Sequence, residues 1–443
     1  MLVDREVNAI MPHPPAPNTL DEAGLSIDMV LQLILKTLHF SGELSGADLA
    51  RRLGLRFSVI EPALQELKVQ HQLEISGGAI LGGPSYRYRI TDAGRTRAAL
   101  FLESNHYVGA APVPLAQYSA YMAEYKKRAP RTVTRARVRE AFSHLVISER
   151  VMDQLGPAIN AGHSMFVYGP PGNGKTVISQ AIQRLLDGDI HIPHALEVEG
   201  AIVRLYDPIA HQEMVEGGQS GGLDRGVDVD QRWVRCRRPM VMVGGELTLE
   251  ALELSFNPIA GFYKAPVQAL ANGGVLVIDD FGRQRVAARD LLNRWIVPLE
   301  SRVDFLTLNS GQKFELPFMV LVAFATNIRP QELVDEAFLR RIHYKVLCES
   351  PSPEDFVLIF RNYCEAQGVD FQRELVQDLL GNYYRTRNLP LRGCHPRDLI
   401  EQSLSLAEYL GRPRELTPEL LRAACDSYFV DDSEASSASP MHA

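Results

Sequence analysis

The sequence predicts an α/β protein with a central parallel sheet, preceded by a smaller helical domain and followed by a helical segment. From His144 onward, short apolar runs alternate with helical patterns, as a parallel sheet with crossover helices requires. Four of these runs, SMFVYG, VMVGGE, GGVLVIDD and MVLVAFATN, are rich in β-branched and apolar residues on both faces, which is typical of strands covered on both sides. Before residue 144 and after residue 350, apolar residues recur mainly at helical spacing.

The composition is that of an ordinary globular protein with more than one domain. The chain has 443 residues, too many for one hydrophobic core, with 46% hydrophobic and 23% charged residues. Its longest apolar runs, such as Phe318–Ala325, are much shorter than the ~20 residues that a membrane helix needs. The N-terminus also lacks the basic and then apolar layout of a secretory signal. We therefore expect a cytoplasmic protein without membrane insertion.

The charge is distributed unevenly along the chain. The net charge is −8, yet residues 41–140 hold 15 Lys and Arg against 9 Asp and Glu. A basic N-terminal third on an acidic chain is compatible with nucleic-acid contact, although a solvated helix would explain much of the excess. The five cysteines are scattered and form no CxxC pair. Their spacing argues against a disulfide framework and against a structural zinc site.

The N-terminal part is predicted to be a small helical domain with a β wing. Residues 1–24 are Pro-rich and aperiodic, which indicates a flexible arm. Residues 25–104 hold three helical patterns, two short extended pieces around Gly-rich turns, and a closing helix, with Ser45 as a candidate N-cap. This order resembles a winged helix-turn-helix, and YRYRITDAGR is similar to the wing strand and following helix of many bacterial members. Residues 105–143, rich in Ala, Pro and basic side chains, are interpreted as a linker.

The segment GPPGNGKT is the most specific motif in the chain. It follows the strand SMFVYG and opens the helix VISQAIQRLL, which is the context that the GxxxxGK[ST] pattern requires. In such a loop the glycines let backbone N–H groups turn inward around phosphates at a helix N-terminus. The lysine would face the β- and γ-phosphates of ATP, and the threonine hydroxyl would reach Mg²⁺. The predicted nucleotide-binding residues are Gly169, Pro170, Pro171, Gly172, Asn173, Gly174, Lys175 and Thr176.

The segment GGVLVIDDFG supplies the acidic partner of this loop. A run of buried apolar residues that ends in acids places carboxylates at the carboxyl edge of the sheet, beside the phosphate loop. Asp279 is predicted to hold Mg²⁺ together with Thr176. Asp280 occupies the position from which a carboxylate polarises the attacking water.

With these parts in this order, the sequence resembles the AAA+ ATPases across roughly residues 145–430. The strand VAFATN is similar to sensor 1, which implies that Asn327 orients the lytic water. DEAFLRRI is similar to the segment that presents an arginine finger to a neighbouring subunit, with Arg341 as the first candidate and Arg340 as the second. HPRDLIEQ resembles the sensor 2 helix of the helical lid, which implies that Arg397 reaches the γ-phosphate.

Some features depart from the usual pattern of that family or bear on which of its clades the chain resembles. Most members have Asp-Glu where this chain has Asp279-Asp280, and the shorter side chain could slow hydrolysis. The chain lacks the GAFTGA loop of the activators that remodel an alternative sigma factor, which disfavours that assignment. The stretch before VAFATN is similar to MoxR-like and related clades, where a β-hairpin precedes sensor 1, and residues 309–311 would form its turn.

The resemblance implies a domain layout and a shared active site. Residues 144–350 would form the nucleotide-binding domain, 351–430 the helical lid, and 431–443 a disordered tail. An arginine finger implies a homo-oligomer, most often a ring of six, that hydrolyses ATP to remodel a protein or nucleoprotein client. The alternative is a nucleotide-gated switch that binds duplex DNA through residues 25–104. The client is left open by the sequence.

Overall fold

Residues 20–104 form a helical unit with a small antiparallel sheet. The computed structural model of the protein describes residues 13–77, 82–128, 133–214 and 229–429. The first elements are α1 (Leu20–Ala23), α2 (Ile27–Ser41), β1 (Glu43–Ser45), α3 (Gly46–Leu53), α4 (Phe57–Val69), β2 (Leu73–Gly77), β3 (Arg87–Ile90) and α5 (Asp92–Ser104). Strand β3 lies between β1 and β2 and is antiparallel to both. Ser45 accepts a hydrogen bond from the N–H of Asp48, which confirms it as the N-cap of α3.

Among the described residues, parts of the predicted arm and of the predicted linker form regular structure. In the arm, Pro15 forms a β-bridge with Val229. The predicted linker contains β4 (Val113–Pro114), α6 (Leu115–Arg128) and α7 (Arg135–Ala141). One face of α6 is buried at Tyr118, Met122 and Tyr125. Because these three residues recur at helical spacing, the predicted linker includes an amphipathic helix.

The α/β domain alternates strands and helices around one parallel sheet. Its elements are α8 (Glu149–Ala161), β5 (Met165–Tyr168), α9 (Lys175–Leu185), β6 (Asp189–Pro193), β7 (Ala195–Val198), β8 (Ala201–Arg204), β9 (Trp233–Arg237), β10 (Met240–Val243), β11 (Ser255–Asn257), β12 (Phe262–Lys264), α10 (Val267–Leu270), β13 (Val275–Ile278), α11 (Ala288–Ser301), β14 (Val303–Thr307), β15 (Lys313–Pro317), β16 (Leu321–Thr326), α12 (Pro330–Leu333), α13 (Glu336–Leu339) and β17 (Tyr344–Leu347). The sheet order is β10-β13-β16-β5-β17, with all neighbours parallel. This topology confirms the predicted fold class.

The order of the strands positions the functional site. Every residue of β13 and β16 is buried, as expected for strands covered on both faces. Strand β5 lies beside β16 although the chain visits β10 and β13 between them. The segments that follow β5, β13 and β16 therefore emerge at the same carboxyl edge, where ligands bind in open α/β sheets.

Strands between α9 and β13, together with β4, form additional sheets. Strands β11, β12, β8, β7 and β4 form a second sheet in that order, and β6 pairs antiparallel with β9. The β7–β8 hairpin turns at Glu199 and Gly200, which both have positive φ (50° and 81°), as its two-residue turn requires. The hairpin expected before sensor 1 is β14–β15, and Gly311 in its turn has a φ of 86°. The Gly-rich loop GGQSGGLDRG lies outside the described residues.

The C-terminal segment is helical, as predicted for a lid. It contains α14 (Pro353–Gln367), α15 (Arg373–Asp378), which continues into a π-helical turn (Leu379–Arg385), α16 (His395–Tyr409) and α17 (Pro418–Tyr428). Ser352 and Asp355 form a capping box at the start of α14. In the part of the chain that the structure describes, no helix is long and apolar enough to cross a membrane. The predicted tail, residues 431–443, falls outside the described ranges.

Candidate nucleotide-binding site

The loop between β5 and α9 has a backbone that depends on glycine. Gly169, Gly172 and Gly174 have φ values of 144°, 76° and 73°, which side chains other than hydrogen disfavour. A Cβ on Gly169 would lie 2.2 Å from the carbonyl oxygen of Cys348. A Cβ on Gly172 would lie 2.5 Å from the Sγ of Cys394. The lack of a side chain at Gly169 and Gly172 thus lets Cys348, after β17, and Cys394, in the helical lid, lie close to the loop.

Lys175, the first residue of α9, is folded over this loop. Only 7% of the residue is exposed, and its Nζ donates to the carbonyl oxygens of Gly169 (3.1 Å) and Pro170 (2.8 Å). Burial lowers the pKa of Lys175, and the positive charge of Arg392 lowers it further, against the raising effect of nearby acidic groups. Arg392 itself donates to the Oγ of Ser350 at 2.8 Å. The loop therefore has two cations at its edge, an arrangement that favours a bound anion.

The acidic pair after β13, Asp279 and Asp280, forms hydrogen bonds with the segments that follow β5 and β16. The hydroxyl of Thr176 donates to the Oδ2 of Asp279 at 2.8 Å. Asp280 has a φ of 48°, a left-handed conformation that is uncommon outside glycine, and its N–H donates to the Oδ1 of Asp279 at 3.0 Å. The Nδ2 of Asn327 donates to the Oδ1 of Asp280 at 3.2 Å. The structure thus brings together these four residues, which the sequence places on three separate segments.

The lid contributes contacts to the loop that the sequence analysis missed. The N–H of Cys394 donates to the carbonyl oxygen of Gly172 at 2.8 Å. The N–H of Gly393 donates to the Oδ1 of Asn173 at 3.2 Å. The Arg-Gly-Cys segment directly before HPRDLIEQ was the available signal, because a turn at the start of a lid helix is placed to meet the loop.

Two cavities flank the phosphate loop. One of about 200 Å³ lies between the loop, the start of α8 and the lid, and its apolar lining comes from Val146, Ile147, Val151, Ile178 and Ile359. The other, of about 730 Å³, opens beside β16 and β17, and its lining includes the polar side chains of Asn327, Arg329, Gln331, Glu332 and Glu349.

The glycine-dependent backbone, the buried Lys175 and the hydrogen bond between Thr176 and Asp279 agree with the arrangement expected for a phosphate-binding loop. A family model described as "Domain of unknown function (DUF8689)" matches residues 352–427, which covers the helical lid and assigns it no activity. No curated protein matches the chain.

Solved structures with some likeness include RuvB from Thermotoga maritima, described as a Holliday junction branch migration motor. It is 13% identical, with 65% of this chain and 71% of RuvB covered and a TM-score of 0.37. NtrX from Brucella abortus is 16% identical, with 74% and 65% covered and a TM-score of 0.40. The NtrX complex with ATP is 14% identical, with 86% and 73% covered and a TM-score of 0.37. Likenesses at this level carry no information on the activity of this chain.

Two of the three predicted arginines are paired with acids outside the phosphate loop. Arg397 on α16 pairs with the adjacent Asp398 at 2.8 Å, and its side chain is 56% exposed. Arg341 pairs with Glu300 at the end of α11. Arg340 is exposed and has no ion pair among the described residues. Of the two finger candidates, Arg340 is thus the one that is free to meet a second molecule.

Proposed function

We propose that this protein is an ATP-binding ATPase of the AAA+ class that hydrolyses ATP at subunit interfaces. The observation that supports this most directly is the hydrogen bond between the hydroxyl of Thr176 and the carboxylate of Asp279, which joins the phosphate loop to the acidic strand end. The backbone N–H groups at the start of α9, with Lys175 and Arg392, suit a triphosphate. The adjoining apolar cavity suits a planar base.

The oxygen atoms at the loop fit Mg²⁺. The Oγ1 of Thr176 and the Oδ2 of Asp279 lie 2.8 Å apart, and hydroxyl and carboxylate oxygens are the ligands that this hard cation prefers. We infer that these two residues would hold the ion. When bound, it would supply charge neutralisation of the phosphates.

Asp280 and Asn327 are placed to act on water. The carboxylate of Asp280 accepts from Asn327 through Oδ1 only, which leaves Oδ2 to orient a water molecule and receive its proton. Asn327 would fix the direction of that carboxylate. In this account Lys175 and Arg392 stabilise the negative charge that develops on the transferred phosphate.

The test is steady-state phosphate release together with equilibrium ATP binding. Asp280→Asn is expected to bind ATP like the unaltered chain and to lose about two or more orders of magnitude in turnover, because general base and orienting groups contribute roughly 10²–10⁴-fold. Asp290→Asn is the matched control, since Asp290 is an exposed carboxylate on α11 outside the site. Turnover of Asp280→Asn equal to that of the control would overturn the assignment.

We further propose that a neighbouring copy completes the site, in a ring that the resemblance suggests is hexameric. Exposed Arg340, with Arg341 beside it, would supply a guanidinium in trans. Specific activity should then rise with protein concentration. A mixture of Asp280→Asn with Arg340→Ala or Arg341→Ala should regain activity that each variant lacks alone, because one subunit keeps an intact acid and the other an intact arginine. A mixture no more active than its parts would exclude the shared site.

We propose that the energy of hydrolysis is used to remodel a protein or nucleoprotein client. The alternative, a switch that binds duplex DNA, is disfavoured by the charges of the N-terminal unit. On the β wing, Arg87 and Arg89 pair with Glu43 at 3.1 Å and 2.9 Å. The exposed residues of α4 include both Glu61 and Lys68. The ion pairs of the wing reduce its net attraction for phosphates. Binding of residues 25–104 to duplex DNA with a steep salt dependence would reverse this view.

A further inference from the structure

A further cleft, separate from the two cavities at the phosphate loop, lies where the N-terminal unit meets the second sheet. It has a volume of about 530 Å³, within the range of small-molecule sites. One wall comes from the end of α2 and from α3, and the floor from the segment 106–110. The other wall comes from β8, β12 and the residues that precede β7 and β9. We call it the arginine–aromatic cleft, after its principal residues Arg51, Arg52, Arg204, Phe40, Tyr206 and Phe262.

The charged side chains in the lining of this cleft are basic, with the carboxylates of Asp48 and Glu213 nearby. Three arginines and two histidines line it, and none of the described side chains that line it is acidic. Arg51 is partly compensated by Asp48 at 3.0 Å, whereas Arg204 has no carboxylate within ion-pair distance among the described residues. Behind the cleft, Lys36 is buried, and its Nζ donates to the carbonyl oxygen of Asn105 at 3.1 Å. Uncompensated cations that share a concave surface favour a bound anion.

The cleft also presents aromatic faces. Phe40 is 66% exposed, which leaves its ring available to a ligand. Tyr206 is held by a stacked contact with His211 at a centroid distance of 5.7 Å. Phe262 is held edge-on by Tyr107 at 5.8 Å. Aromatic rings beside guanidinium groups are the combination that binds bases and phosphates together.

The walls of the cleft are fixed relative to one another. The N–H of Ala111 donates to the carbonyl oxygen of Leu53 at 2.7 Å, which ties the end of α3 to the connecting segment. A Cβ on Gly54 would lie 2.9 Å from the backbone of Gln231, so the unit and the segment before β9 are in direct contact there. A preformed cleft loses less conformational entropy on binding than one that must be assembled.

We propose that the arginine–aromatic cleft is a second ligand site that binds a nucleotide unit, with the phosphate on Arg204 and its neighbours and the base on the aromatic faces. This site shares no residue with the phosphate loop. The unit could be a free mononucleotide or one nucleotide of a single strand, since both offer a phosphate ester and an aromatic ring.

The test uses the full chain with Lys175→Ala, so that the phosphate loop is weakened as a competing site. Binding of AMP is measured by calorimetry, and binding of a labelled oligothymidylate of about eight nucleotides by fluorescence anisotropy. Arg204→Gln in that background is expected to weaken binding about tenfold or more, because hydrogen bonds to charged groups are strong when their partner is fixed. Phe40→Ala should weaken it as well. Arg422→Gln, at an exposed position on α17, is the control and should bind unchanged.

The two probes separate the two sources of ligand. Similar affinity for AMP and for the strand identifies a free nucleotide as the occupant, and at least tenfold tighter binding of the strand, by roughly 1.4 kcal/mol, identifies a nucleic acid. The proposal is overturned if neither probe saturates below about 1 mM. It is also overturned if Arg204→Gln binds like its parent, or if the control loses as much affinity as Arg204→Gln.

Discussion

Alanine at Gly172 is expected to destabilise the protein more than alanine at Gly174. The two residues have nearly equal φ values, 76° and 73°, so the backbone cost of a side chain is about 1–2 kcal/mol at both. Only at Gly172 would the new Cβ meet another group, the Sγ of Cys394 at 2.5 Å, whereas at Gly174 nothing lies within 4 Å. Relieving that contact adds about 1–3 kcal/mol. The expected losses are therefore roughly 2–5 kcal/mol for Gly172→Ala and 1–2 kcal/mol for Gly174→Ala.

The assay is urea unfolding without nucleotide, followed by tryptophan fluorescence. Without nucleotide, any contact between a new methyl group and phosphates is removed from the comparison. Adding Cys394→Ala to Gly172→Ala deletes the Sγ and should return the stability to that of Gly174→Ala. Equal losses for the two single variants, or no recovery in the double variant, would refute the claim that the lid rests on the phosphate loop at this point.

Three other predictions concern the buried ion pair, the buried histidine and the metal ligand. Arg232→Ala should lower the free energy of unfolding by about 3–5 kcal/mol, because it leaves the carboxylate of Asp230, 3% exposed, without its partner; calorimetry tests this, and a loss near zero would contradict it. Burial, and then the charge of His13, lowers the pKa of His191 from 6.5 to about 4. The folded state therefore keeps this ring neutral, and stability is full above about pH 6.5 and falls by about 3 kcal/mol as the pH drops to about 4. His191→Gln should reduce the change in the free energy of unfolding between about pH 6.5 and pH 4, measured by urea unfolding. An unchanged pH dependence would contradict this prediction. Thr176→Val should bind ATP with equal affinity in the presence and absence of Mg²⁺ in a fluorescence titration. If Mg²⁺ still raised the ATP affinity of this variant, Thr176 would not be a ligand of the ion.

The phosphate loop and its acidic partner were predictable because each follows from local chemistry. A Gly-rich turn between an apolar run and a helix has few other uses, and the carboxyl ends of parallel strands meet at one edge. These two facts place Thr176 near Asp279, and the structure has them 2.8 Å apart. The roles of these residues in binding and hydrolysis stay predictions.

Features that depend on distant packing were not predictable in the same way. The contact of Cys394 with Gly172 joins segments more than 200 residues apart, and no local pattern encodes where a lid will rest. The segment around α6 was interpreted as a linker because its Ala and Pro content masked the helical spacing of its buried tyrosines. Pro62 lies inside α4 at an exposed position, where water can satisfy the carbonyl group that loses its partner.

ATP turnover by the unaltered chain and by Lys175→Ala, measured across a Mg²⁺ titration, tests the central claim most directly. Lys313→Ala is the control, because Lys313 is an exposed lysine on β15 of the same domain, away from the loop and from the segment of Arg340 and Arg341. We predict Mg²⁺-dependent turnover in the unaltered chain and in the control, and none in Lys175→Ala. Turnover that is independent of Mg²⁺, or that survives in Lys175→Ala, would contradict hydrolysis at this loop.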